Sequence, residues 1–163
     1  MLIPRSVLRE MTTDDVPAVM AVQEPTSIAG LSEVFPQDSY PFPRDVLADR
    51  WRAEIADPDI ECLVILRRDE VAGFAAVQAD EVKHFGVAVD EWGSGLATTA
   101  HDELVGRMTD AGVRRAWLCV YAANPRGRAF WAKLGWTDSG ERSAGPMPPH
   151  AEQLILERAL QPR

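Results

Sequence analysis

The apolar and polar positions of this chain change period several times, and each change predicts an element. Ser6–Glu10 reads as a short first strand. Thr13 reads as the cap of a helix from Asp14 to about Gln23, with acids in the first turn where the helix dipole favours them. Glu24–Pro43 is interrupted by prolines and reads as a short helix plus loop. Val46, Leu47, Trp51 and Ile55 then fall on one face of a helix over Arg44–Ala56. Three strand-like runs follow, "IECLVILRR", "EVAGFAAVQ" and "EVKHFGVAVD", and their short connections demand antiparallel pairing. Leu96, Ala100, Leu104 and Met108 recur every four residues, one face of a helix that Gly112 ends. "RRAWLCVYA" is again a strand. Asn124-Pro125 gives a cap followed by proline at the first helical position, and that helix stops at Gly135. A short strand in "GWTDSG", a loop over "SAGPMPPH" and a final strand in "AEQLILERAL" follow. The order is that of one α/β domain over residues 1–163, a mixed sheet with helices interposed.

At 163 residues, 46% apolar and 26% charged, the chain has material for one sizeable core. No apolar run reaches membrane-spanning length, and the start of the chain lacks the apolar segment of a signal peptide. A cytoplasmic location with no membrane partner is therefore expected. The net charge of −8 argues against nucleic acid as a partner. Cys62 and Cys119 lie in separate apolar runs and are expected as buried, reduced thiols. His84, His101 and His150 stand singly, without metal-ligand spacing, so no metal is expected.

The most informative stretch is Val87 to Leu104, "VAVDEWGSGLATTAHDEL", where a strand passes through Gly93-Ser94-Gly95 into a helix. Glycines at such a junction let backbone amides approach an anion. The stretch carries no Lys or Arg, which excludes a Walker loop, and it lacks the third glycine of a dinucleotide fingerprint. The strand before it also belongs to an antiparallel run, not to the parallel unit a dinucleotide site requires.

A third pattern fits. Trp92-Gly93-Ser94-Gly95-Leu96-Ala97 resembles the [Arg/Gln]-x-x-Gly-x-[Gly/Ala] junction of the GNAT superfamily of N-acyltransferases at every position but the first. Leu118-Cys119-Val120, Asn124 and Phe130-Trp131-Ala132-Lys133-Leu134-Gly135-Trp136 resemble that family's second signature, and the order of elements matches along essentially the whole chain. The resemblance implies a single mixed, mostly antiparallel sheet of six to seven strands with helices on both faces. It implies acetyl transfer from acetyl-CoA to a primary amine, on a small molecule or a protein, by direct attack in a ternary complex. On this reading the amides of Gly93, Ser94, Gly95, Leu96, Ala97 and Thr98 cradle the coenzyme diphosphate, and the backbone of Val87 and Val89 holds the pantetheine arm. Asn124 bonds the coenzyme as well as capping its helix, and Trp92, Phe130 and Trp131 stand at the family's coenzyme positions. Dimerisation is common among members, but the sequence marks no surface for it.

Two departures matter. Trp92 replaces a polar residue, and is either a packing residue or a lid over the coenzyme. Trp131 stands where the family most often has a Tyr that protonates the leaving thiolate, and an indole N–H is not a usable acid. Tyr121 is then the candidate substitute donor, with an ordinary strand tyrosine as the alternative. Both departures leave open a second reading, a catalytically weak or inactive acyl-CoA-binding module on the same fold. An alkylammonium must lose a proton before it attacks, and Glu81 occupies a position where relatives carry the base. Simple alternation places Glu81 with Phe85 and Val87, and His84 on the opposite face. The segment before Arg44 and the loop ending at His150 are expected to border the acceptor. There Glu24, Glu33 and Asp38 are candidates for holding a cationic amine, and Phe35, Tyr40 and Phe42 for walling its apolar part.

Overall fold

The computed structural model describes residues 5–161. Seven strands form one sheet in the order β1-β2-β3-β4-β5-β7-β6. They are β1 (Leu8–Glu10), β2 (Ile60–Arg67), β3 (Glu70–Gln78), β4 (Glu81–Val87), β5 (Arg115–Tyr121), β6 (Thr137–Ala144) and β7 (Glu152–Ala159). Four helices accompany them, α1 (Val16–Gly30), α2 (Arg44–Ala56), α3 (Leu96–Asp110) and α4 (Pro125–Lys133). β1 to β4 pair antiparallel, with short turns joining β2, β3 and β4 and the two helices α1 and α2 lying between β1 and β2, and β7 pairs antiparallel with both β5 and β6. The pair β4–β5 is parallel, and it needs the long connection that α3 supplies. No helix among the described residues is long and apolar enough to cross a membrane.

Strand alternation sends the two faces of the sheet into two cores. Cys62, Val64, Phe74 and Ala76 pack with Val19, Met20, Leu47 and Trp51 under α1 and α2. Leu63, Ile65, Val87, Leu118 and Leu156 pack with Leu96, Leu104, Trp131 and Trp136 under α3 and α4. Trp51 is fully buried and keeps its indole N–H satisfied by donating to Gln23 Oε1 at 2.7 Å.

Several expectations change at the first two helices. Thr12, not Thr13, stands at the N-cap. Its backbone N–H donates to Asp15 Oδ2 at 2.8 Å, and a 3-10 turn over Thr13–Asp15 precedes α1. α1 then runs through Pro25 to Gly30, seven residues past the expected end at Gln23. Tertiary packing outweighs the proline's local penalty, because Val16, Val19, Met20 and Gln23 are already fixed against the sheet. On α2 the buried positions are Leu47, Trp51 and Glu54, while Val46 is exposed. Cys119 is only half-buried, against the expectation of full burial, because it looks out of β5 between the better-covered Leu118 and Val120.

Candidate active site

β4 and β5 meet at one register position among the described residues, Glu81 opposite Trp117, and diverge beyond it. A parallel pair that stops after one position leaves facing N–H and C=O groups without sheet partners along the rest of both strands. Such a gap is costly unless something fills it, and it opens toward the glycine junction.

At that junction a 3-10 turn, Val89–Glu91, leads through Gly93 (φ 82°) and Gly95 (φ 92°) into α3. Both glycines have the left-handed backbone that other residues rarely adopt, and nothing lies within 4 Å of a side chain that either would carry. The N–H groups of Gly93, Gly95, Ala97 and Thr98 have no partner among the described residues. The Leu96 N–H is taken by Ser94 Oγ at 3.2 Å, and the Ser94 hydroxyl donates to Glu91 Oε1 at 2.9 Å. Glu91 is held below the usual carboxylate range by Ser94 and then by Arg67, so the acid beside the junction is tied off. The result is a ring of free amide donors at the positive end of a fifteen-residue helix, chemistry that fits a diphosphate.

Val87 is buried at the end of β4, and its carbonyl accepts from both Thr26 Oγ1 (3.1 Å) and Trp92 Nε1 (3.3 Å). Val89 lies in the 3-10 turn and is exposed, off the strand on which the sequence placed it. Asn124 caps α4 by accepting from the Gly127 N–H at 3.0 Å. On the α3–α4 face, Phe85 stacks on Phe130 (centroids 5.8 Å apart) and meets Trp131 edge-on at 5.4 Å. These rings line β4 beneath α4. His101, fully buried, accepts the Trp136 indole N–H at Nε2 (3.0 Å), which leaves Nδ1–H to donate to Asp102 at 2.9 Å.

The other face carries the groups able to move protons, and here simple alternation fails. β4 bulges at Lys83, so Val82 pairs with Val77 but His84 with Ala76. Ala76 faces α1 and α2, and Glu81, opposite Gln78, falls on the same side. The extra residue therefore puts Glu81 and His84 on one face, and leaves Val82, Phe85 and Val87 on the other. His84 meets Trp51 edge-on with ring centroids 5.0 Å apart, and its Nε2 lies 2.9 Å from both oxygens of Glu54. Burial keeps His84 below the ordinary imidazole range, so it is neutral at pH 7 and donates Nε2–H to the carboxylate. Glu81 is pushed the other way, upward, first by burial and then by Asp80 and Glu54, with Lys83 opposing.

Sequence reasoning missed Arg50 and Glu54. Arg50 Nε is buried without a hydrogen-bond partner, 3.6 Å from Glu54 Oε1. Leu47, Arg50, Trp51 and Glu54 follow helical spacing, so an ionic pair inside an otherwise buried stripe was the available signal.

Tyr121, at the end of β5, is gripped from two sides. Phe35 meets it edge-on at 5.5 Å, and a side-chain methyl on Gly145 would lie 2.7 Å from its ring. The segment before α2 and the loop between β6 and β7 thus converge on Tyr121, whose phenol burial holds above its usual range and so protonated. Gln37 orders the first segment through the backbone of Phe35, Tyr40 and Phe42, and His150 Nδ1 holds the second through Gly145 O at 2.8 Å. Glu24 is already paired with Arg44 and is not free to hold an amine. Two clefts of about 330 and 290 Å³ lie elsewhere, walled by residues such as Arg115, Glu157 and Arg107 that form surface ion pairs. No cluster of metal-ligating side chains occurs among the described residues.

A family model described as the acetyltransferase (GNAT) family matches residues 27–136. Comparison with curated protein sequences gives no match. Among solved structures, the chain resembles PaiA N-acetyltransferase from Thermoplasma acidophilum in complex with coenzyme A, at 15% identity and a TM-score of 0.74 over 93% of this chain and 97% of that one. It resembles the spermidine N-acetyltransferase of Vibrio cholerae in complex with coenzyme A and spermine, at 13% identity and 0.70 over 94% of each chain. A ribosomal-protein-alanine N-acetyltransferase from Brucella melitensis gives 17% identity and 0.69 over 95% and 100%.

Proposed function

Because the chain belongs to the acetyltransferase (GNAT) family, we propose that it transfers an acetyl group from acetyl-CoA to a primary amine. The observation that carries this reading is the unpaired gap between β4 and β5, with the free amides of Gly93, Gly95, Ala97 and Thr98 at its mouth. Acetyl-CoA, when bound, supplies the acetyl group as a thioester. Backbone amides of β4 that face the gap donate to the carbonyl oxygen as it gains negative charge. Glu81 takes the proton the amine must lose, directly or through water. Burial raises its pKa and so makes it a stronger base than a solvated carboxylate. Tyr121, held protonated beside the gap, is the donor to the departing sulfur in place of the usual α4 tyrosine. The amine nitrogen bonds to the carbonyl carbon, the carbon–sulfur bond breaks, the sulfur leaves with the Tyr121 proton, and the surplus proton on the new amide nitrogen restores the Tyr121 phenol through water.

The acceptor enters from the α1–α2 side, between Phe35 and the Gly145 loop. The neighbours named for spermidine and for a ribosomal-protein alanine support a small amine or a protein amino group as its class. A second reading, a binding module without turnover, is favoured by one observation. Trp131, at the usual tyrosine position, is buried among Phe85, Phe130 and Trp136. Thiol release from acetyl-CoA in the presence of polyamines, peptides and amino acids separates the two. Release that depends on one amine class is expected. Acetyl-CoA binding with no release across the panel establishes the module instead.

A further inference from the structure

Position 92 carries an indole where the family motif carries Arg or Gln, so the diphosphate cradle has no side-chain cation on its own loop. The fold brings one from another element. Arg126, the second residue of α4, lays its guanidinium over the Trp92 ring, 3.8 Å from the centroid. Trp92 is itself fixed, through Nε1 on the Val87 carbonyl and by packing against Gly30, where a side-chain methyl would lie 3.8 Å from Cη2. The ring attracts the cation through its π-face and offers no lone pair, so the contact leaves guanidinium N–H donors available to an anion. Among the described residues no carboxylate lies within 4.0 Å of Arg126, and it makes no side-chain hydrogen bond, although the chain carries 25 acids.

Its placement is also electrostatically unfavourable on its own terms. The first turns of α3 and of α4 contain no acid, and the Trp92–Arg126 contact sets these two helix N-termini side by side. Each is the positive end of a helix, and Arg126 and Arg128 add positive charge to one of them. An acidic chain has thus gathered two helix dipoles, free amides and an unpaired guanidinium at one point, which an anion there would neutralise.

We propose that Arg126 is the diphosphate-binding cation of this chain, with Trp92 as the platform that aims it. Trp92 offers the phosphates no polar group of its own and serves as the surface on which α4 presents a charge. This inference rests on the acetyl-CoA reading above and adds a residue and a geometry to it.

Calorimetric titration with coenzyme A and with 3′-dephospho-coenzyme A tests it. Arg126→Gln is expected to weaken both ligands about tenfold or more, the loss of a charge-assisted contact. Trp92→Leu should weaken them to a similar degree, and the double variant should be little worse than Arg126→Gln, since both changes remove one unit. Arg126 is exposed, so the variant keeps the fold, which circular dichroism checks. Unchanged affinity in Arg126→Gln, or a loss for coenzyme A but not for the dephospho form, overturns the proposal. Wild-type protein that binds neither ligand overturns the acetyl-CoA reading and this inference with it.

Discussion

In the proposed mechanism Glu81 is the base, and its surroundings set how strong a base it is. Burial and the neighbouring Asp80 and Glu54 raise its pKa, so the folded state is penalised for ionising it. For an acid raised on folding, that penalty is absent below the unfolded value of about 4.3 and complete above the native pKa. Glu81→Gln should therefore leave the melting temperature at pH 7 unchanged or raise it, while lowering kcat by about 10²–10⁴ with the amine that supports thiol release. The acid limb of the wild-type pH–rate profile should sit above the ordinary carboxylate range and vanish in the variant. A variant with full kcat would remove Glu81 from the mechanism. The sequence named Glu81 as a candidate base and set it on the same face as Phe85 and Val87, where the structure does not put it. One extra residue at Lys83 inverts every later side chain, and nothing in "EVKHFGVAV" announces a bulge.

Among the elements, α3, α4 and the start of β6 are joined by a histidine that can hold only one proton. His101 accepts from Trp136 at Nε2, so protonating that nitrogen breaks the buried bond. Burial lowers the pKa of His101, against the pull of Asp102, and lowers that of His84 on the opposite face. Two histidines depressed on folding contribute no penalty above about pH 6.5. Below it the unfolded chain binds protons that the folded one resists, so stability falls until the native pKa values are passed. Urea unfolding is expected to give a lower midpoint at pH 5 than at pH 8, with a smaller difference in His101→Leu. Equal midpoints at both pH values in the wild type would contradict this. The helices themselves were legible where periodicity and caps agreed, as at Asn124-Pro125 and Leu96–Met108. They were illegible where packing overrides local chemistry, as at Pro25 inside α1. Glu54 was hidden for the same reason: its partner His84 lies 30 residues away, and only the folded sheet brings them together.

On the scale of the whole molecule, β4–β5 is the strand pair held by a single register position among the described residues, and the proposed chemistry gathers around that opening. Free amides and Arg126 stand at its mouth, Phe85, Phe130 and Trp131 on one side, and Glu81, His84 and Tyr121 on the other. Family resemblance could be read from two short motifs because each encodes a backbone shape, a glycine-opened helix start and a capped one. The two segments expected to border the acceptor were legible, but their meeting on Tyr121 was not, because Phe35, Gly145 and Tyr121 come together only by tertiary folding. Dual-labelled amide NMR during titration with coenzyme A tests the central claim most directly. The amide signals of Gly93, Gly95, Ala97 and Thr98 are expected to shift together and saturate, while those of Gly112 and Gly140, distant turns with the same positive φ, stay in place. Saturable shifts that miss the four junction amides, or none at all, would contradict it.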